Sequence, residues 1–196
     1  MSARRSFSHA IAEGDGISVI AAVEDADAAR AAEAQRAEAL VVNGDPARLR
    51  EATLLPILWR AATAVDRAAE VADAVTVVLP DDEDEDHEPA QRRHEEALAL
   101  GLDCAVEVRS EDELERALEI LDPEIFLLAP PPAAPHERLE AVLELLAEVP
   151  AGKLAIADLT VTTEDEVHEL ERAGVDAVIV HAADVSPLAG EAPPEV

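Results

Sequence analysis

Short apolar runs alternate with stretches whose apolar positions recur at helical spacing along nearly the whole chain. The runs are ISVIAAV (17–23), ALVV (39–42), LLPILW (54–59), AVTVVLP (74–80), DCAVEV (103–108), EIFLLA (124–129), KLAIAD (153–158) and DAVIVH (176–181). Each is continuous and rich in Val, Ile, Leu or Ala, as strands covered on both faces are.

The intervening helices are readable from their ends. In SEDELERALEIL, Ser110 with Glu113 makes a capping box, Leu114, Leu118 and Leu121 keep helical spacing, and Asp122-Pro123 stops the helix. TTEDEVHELERAG repeats the plan with Thr163 and Glu166, an apolar face of Val167 and Leu170, and Gly174 past the end. PHERLEAVLELLAEVPAG sets Leu139, Val142, Leu143 and Leu146 on one stripe. DAARAAEAQRAEA and TAVDRAAEVADA are Ala-rich and amphipathic, while DPARLREA is short.

Alternating strands and helices imply a parallel sheet, and eight strands favour closure into an α/β (β/α)8 TIM barrel, here a single domain over 1–196. At 196 residues the barrel is shortened, against about 250 for the usual fold. After the eighth strand, AADVSPLAGEAPPEV is too short and Pro-rich for a full covering helix, so most of the last helix is expected to be missing. That would leave apolar surface between strands eight and one. Two covers present themselves: the segment SFSHAIAEG, with Phe7 and Ile11 one turn apart, or a second copy of the chain in a homodimer.

Charge narrows the partners. A net −29, from 44 Asp and Glu against 15 basic residues, repels phosphate backbones and anionic membranes, so no nucleic acid and no membrane partner is expected. The acidity fits either a salt-rich cytoplasm or a compositional habit. The start, MSARRSFSHAIAEGDG, has a twin-arginine look, but no apolar run follows and none is long enough to span a membrane. A cytoplasmic location is expected. The single cysteine, Cys104, excludes an internal disulfide and reads as a small buried hydrophobe. The run DDEDEDHE (81–88) has neither the spacing nor the turn glycine of a calcium loop, and reads as a solvated acidic loop.

Four stretches carry a resemblance to a known family. SFSHAIAEGDGISVIAAV, LPILWRA, LGLDCAVEVRSEDELERAL and VTTEDEVHELERAGVDAVIV occur in the order, and near the positions, of matching segments in indole-3-glycerol phosphate synthases. The chain resembles that group from about residue 6 to 185. The resemblance implies a barrel that closes an indole ring on a phosphorylated anilino-deoxyribulose, with loss of CO2 and water. It also implies a lysine acid on strand three, glutamates and a second lysine on strands one and five, a loop asparagine, and glycine-rich phosphate turns after strands seven and eight.

Position by position, Glu107 keeps the strand-five glutamate, and Asp158 stands where strand seven has a glutamate. Arg60 replaces the lysine acid; it can hold an anion but cannot give up a proton at working pH. Ala22 and Glu24 take the strand-one glutamate and lysine positions, LLAPPPAAP replaces the asparagine motif, and DLTV and VHAADV replace the phosphate turns, with His181 where a glycine belongs. Backbone cradles phosphate only where it can approach closely, so the expected product of these changes is a divergent barrel without synthase activity. Residual synthase activity in tryptophan biosynthesis, or lyase or metal-assisted chemistry, are the alternatives.

Arg60, Glu107, Asp158 and His181 all fall at the C-terminal ends of strands, where such barrels place chemistry. Three arrangements are open to them. They could form a facial metal site, or an acid–base pair with Arg60 anchoring a carboxylate of a small-molecule ligand. They could equally form a polar network that satisfies itself, Arg60 pairing with Glu107 or Asp158 while His181 faces solvent. No cofactor and no bound metal is assigned. His87, His94, His136 and His168 read as surface residues, and Trp59, alternating with Arg60, should point outward.

Overall fold

The computed structural model describes residues 6–12, 16–80, 86–132, 134–159 and 164–181. Its strands are β1 (Ser18–Ala22), β2 (Ala39–Val42), β3 (Ile57–Trp59), β4 (Ala74–Val78), β5 (Asp103–Val108), β6 (Ile125–Leu128), β7 (Leu154–Asp158) and β8 (Ala177–Val180). All are parallel, and they close in sequence order, β8 returning to pair with β1. The helices are α1 (Phe7–Ala12), α2 (Ala26–Ala34), α3 (Ala47–Ala52), α4 (Val65–Val71), α5 (Glu88–Ala99), α6 (Glu111–Ile120), α7 (Pro135–Glu148) and α8 (Glu164–Ala173). The fold is the expected (β/α)8 barrel. Residues 81–85 of the acidic run, Thr163 of the second capping box and residues 182–196, where a truncated last helix was expected, lie outside the described residues. No helix among the described residues is long and apolar enough to cross a membrane.

Strand alternation divides the core in two. Ile20, Val41, Leu58, Ala105, Leu127, Ile156 and Ile179 point inward and fill the barrel. Their neighbours Val19, Leu40, Trp59, Val106, Phe126, Ala157 and Val178 point outward against the helices. Trp59 is on the outer side, as expected. Strand β3 is shorter than the run LLPILW because Pro56 has no N–H to give the ladder; its carbonyl still accepts the amide of Leu40 at 2.9 Å, while Leu54 is 88% exposed.

Helix ends follow local chemistry. Ser110 accepts the amide of Glu113 at 3.3 Å, while Glu113 reaches one residue further back and takes the amide of Arg109 at 2.8 Å. Asp122 and Gly174 adopt left-handed φ values of 43° and 97° past the ends of α6 and α8.

Two expectations are corrected. Helix α1 does not cover the seam between β8 and β1; it closes the N-terminal floor of the barrel. Phe7 and Ile11 join the inner core, fully buried with Ala39, Ala74 and Ala177. Strands β2, β4 and β8 each begin with an inward alanine, and the space left by those small side chains is what the Phe and Ile fill. The amide of Ser8 bonds the Asp103 carboxylate at 2.8 Å and Ser18 Oγ donates to the Ile11 carbonyl, fixing the plug. The seam itself is not bare either: outward Val19, Ala21, Val178 and Val180 are all buried.

His94 is the other correction. It is buried on α5, because it shares a face with buried Ala90 and Ala97, four residues before and three after it. Burial pushes its imidazole below the usual histidine range.

Candidate functional site: the C-terminal mouth

The four candidate side chains meet at one opening. Each lies two residues beyond an inward aliphatic of the barrel core: Arg60 after Leu58, Glu107 after Ala105, Asp158 after Ile156 and His181 after Ile179. Two residues is one full step of strand alternation, so all four point into the mouth.

Arg60 holds the arrangement together. Its Nε and Nη2 donate to Glu107 Oε2 at 3.0 and 2.9 Å, and its Nη1 donates to Asp158 Oδ2 at 2.5 Å. The second oxygen of Asp158, Oδ1, lies 2.8 Å from His181 Nε2. Asp158 is almost fully buried, Arg60 and Glu107 largely so, and the His181 side chain is 45% exposed.

Burial alone would raise the Asp158 carboxyl, but the hydrogen bond from His181 and the charge of Arg60 outweigh it and hold it below the ordinary aspartate range. Arg60 is desolvated too, and the two carboxylates more than compensate, holding it above the usual arginine range. Asp158 is therefore a carboxylate, and it accepts the N–H of His181 Nε2.

Arg60 pairs with both carboxylates, as in the polar network read from the sequence. The guanidinium sits between Glu107 and Asp158, taking an oxygen of each, where a shared metal would need both. Among the described residues no group of three or more His, Cys, Asp and Glu side chains could hold a metal ion. The polar network is built, with one addition: His181 faces solvent and also bonds Asp158.

A further residue, Arg138 of α7, belongs to the site. Its Nη2 donates to the main-chain carbonyl of Asp158 at 2.9 Å. In the β6–β7 ladder, Leu127 pairs with Ile156 and Leu128 with Ala157; one step on, the donor to the Asp158 carbonyl would be the N–H of residue 130. Residue 130 is a proline. Arg138 replaces the missing donor and anchors the strand end that carries Asp158.

Below the rim, the strand alternation that turns Ala74 inward also turns Thr76 inward. Thr76 is buried, and its hydroxyl has no hydrogen-bond partner among the described residues. Cys104 faces the outer core, its thiol toward the His94 carbonyl and pushed up to about 12 by burial, so it is inert. A separate cleft of about 930 Å³ opens between α4 and α5, lined by Val65, Leu79, Ala90 and Leu100 among others. It contains none of the four mouth residues, and titratable geometry rather than volume makes the mouth the candidate site.

Fold and site together define a (β/α)8 barrel with an ion-paired mouth. The chain is similar to indole-3-glycerol phosphate synthases: 38% identical over 96 residues to the enzyme of Polaromonas naphthalenivorans, which is 48% of this chain and 36% of that one. The synthase of Variovorax paradoxus is 36% identical over the same length, and that of Shouchella clausii 31% identical over 88 residues, 44% of this chain and 34% of the relative. The matches thus span about half of the chain and roughly a third of the relatives' own length. No family model matches the chain. The resemblance read from the sequence is borne out by these relatives and by the barrel.

Proposed function

We propose that this chain is an indole-3-glycerol phosphate synthase-like barrel that has lost synthase activity and retains its mouth as a small-molecule site. The carrying observation is the position of the only lysine. Lys153 lies just before β7, at the N-terminal end of the barrel, paired with Asp122 at 2.9 Å and Glu124 at 3.3 Å. No lysine is thus available to act as acid at the mouth, and the arginine there keeps its proton. Ala22 on β1 stands in place of the family's strand-one carboxylate, and Glu107 is paired with Arg60.

The test is indole fluorescence after adding the phosphorylated anilino-deoxyribulose to the full chain. No product above the enzyme-free rate is expected. Product formation that disappears in Glu107→Gln would revive the synthase reading.

A further inference from the structure

We infer that the floor of the barrel carries a second site, separate from the mouth, which binds short aliphatic primary amines in their ammonium form. A cleft of about 550 Å³ opens there among α1, the C-terminal ends of α5 and α6, and the starts of β5, β6 and β7. None of the four mouth residues lines it.

His94 is the residue that points to a ligand. It lines the cleft and is only 8% exposed. Its ring nitrogens have no hydrogen-bond partner among the described residues, yet neither is sealed inside the protein. A sheltered polar group without a partner is costly, and a ligand that bonds it removes the cost. Burial keeps this imidazole neutral at pH 7, so one nitrogen holds a lone pair for an N–H donor.

Charge sets the ligand class. Asp103, Asp122 and Glu124 line the same cleft. Asp103 gives one oxygen to the Ser8 amide at 2.8 Å, while Asp122 and Glu124 each give one to Lys153, at 2.9 and 3.3 Å. The second oxygen of each has no partner among the described residues. Three carboxylates against the one ammonium of Lys153 leave the cleft negative, so a cation is drawn in and an anion repelled. The backbone works in the same direction. Helices α5 and α6 both end at the cleft, and neither has a basic residue in its last turn to meet the negative end of its dipole.

The rest of the wall is aliphatic. Leu121, Ile125 and Leu154 line it, together with Leu98, one of the large apolar side chains this fold leaves half exposed. An alkylammonium has the matching parts: three N–H donors for the carboxylate oxygens and the imidazole, and a tail for the leucines. Each methylene buried against that wall should tighten binding about threefold.

The test titrates the full chain with butylammonium at pH 7 and fixed ionic strength, followed by calorimetry and by the ring resonances of His94. A saturable shift of those resonances is expected. Methylammonium, 1-butanol and butyrate should each bind at least tenfold more weakly than butylammonium. Asp103→Asn keeps an oxygen for the Ser8 amide but loses the charge, and should weaken butylammonium at least fivefold by calorimetry with an unchanged urea midpoint. Equal affinity for methylammonium and butylammonium would mean counterion attraction to an acidic surface and would overturn the inference. So would 1-butanol binding as tightly as butylammonium, a His94 ring that does not respond, or an Asp103→Asn chain that binds as the native one does.

Discussion

The two ends of this barrel use their sheltered carboxylates differently. At the floor they serve the backbone: Glu38, Asp73 and Asp176 sit just before β2, β4 and β8 and accept amides at the start of β1, β3 and β7, from Val19, Ile57 and Ala155, at 2.7 to 2.9 Å, Asp73 also pairing with Arg50. At the mouth, Glu107 and Asp158 serve side chains, Arg60 and the half-exposed His181. A carboxylate tied to a strand amide is held as rigidly as the ladder itself. One tied to a guanidinium and a half-exposed imidazole can exchange partners. Ionisation marks the contrast, since burial raises Asp176 above the ordinary aspartate range while Asp158 is held below it.

The contrast is broken most severely by Arg60→Met. That change strands Glu107 and Asp158 in the mouth without their cation, and should cost about 3 kcal/mol in urea unfolding. Phe7→Ala attacks the floor instead, opening a cavity in the inner core, at about 3 kcal/mol by the same measurement and without effect on the mouth. Thr76→Val removes a buried hydroxyl that has no partner among the described residues, and should raise stability by about 1 kcal/mol. A loss there would show that the hydroxyl is satisfied in solution.

Acid titration sharpens the two ends with opposite signs. Asp158 has a depressed carboxyl, so its contribution is present above the unfolded value, about 3.9, and fades as pH falls through the lower folded value. The deficit of Asp158→Asn relative to the native chain should therefore shrink below about pH 4. Asp176 has a raised carboxyl, so its ionised form costs stability at neutral pH, and the cost is relieved as pH falls through the folded value. Asp176→Asn should then match or slightly exceed the native chain at pH 7, by no more than about 1 kcal/mol, and lose that advantage in acid. Urea midpoints at several pH values test both.

Much of this was legible in the sequence for a physical reason. Strands buried on both faces need continuous aliphatic runs, and a polar residue near the end of such a run, two residues past an inward aliphatic as Glu107, Asp158 and His181 are, points into the mouth by alternation. The site's partners were harder to see. The floor plug depended on noticing that Ala39, Ala74 and Ala177 all open even-numbered strands and leave room for Phe7. His94 was betrayed by its spacing from Ala90 and Ala97, a helical pattern that a search for isolated histidines overlooks. Arg138 could not be read at all without the β6–β7 register, because its role is to answer the amide that Pro130 lacks. Thr76 required knowing both its inward face and that its hydroxyl finds no partner among the described residues.

The central claim is that Arg60, Glu107 and Asp158 act as one coupled unit across three strands. A double-mutant cycle between Arg60→Met and Asp158→Asn, read by urea unfolding of the full chain, addresses it directly. A coupling energy of at least about 1 kcal/mol is expected for charges in this contact, and additivity of the two single changes would contradict the account.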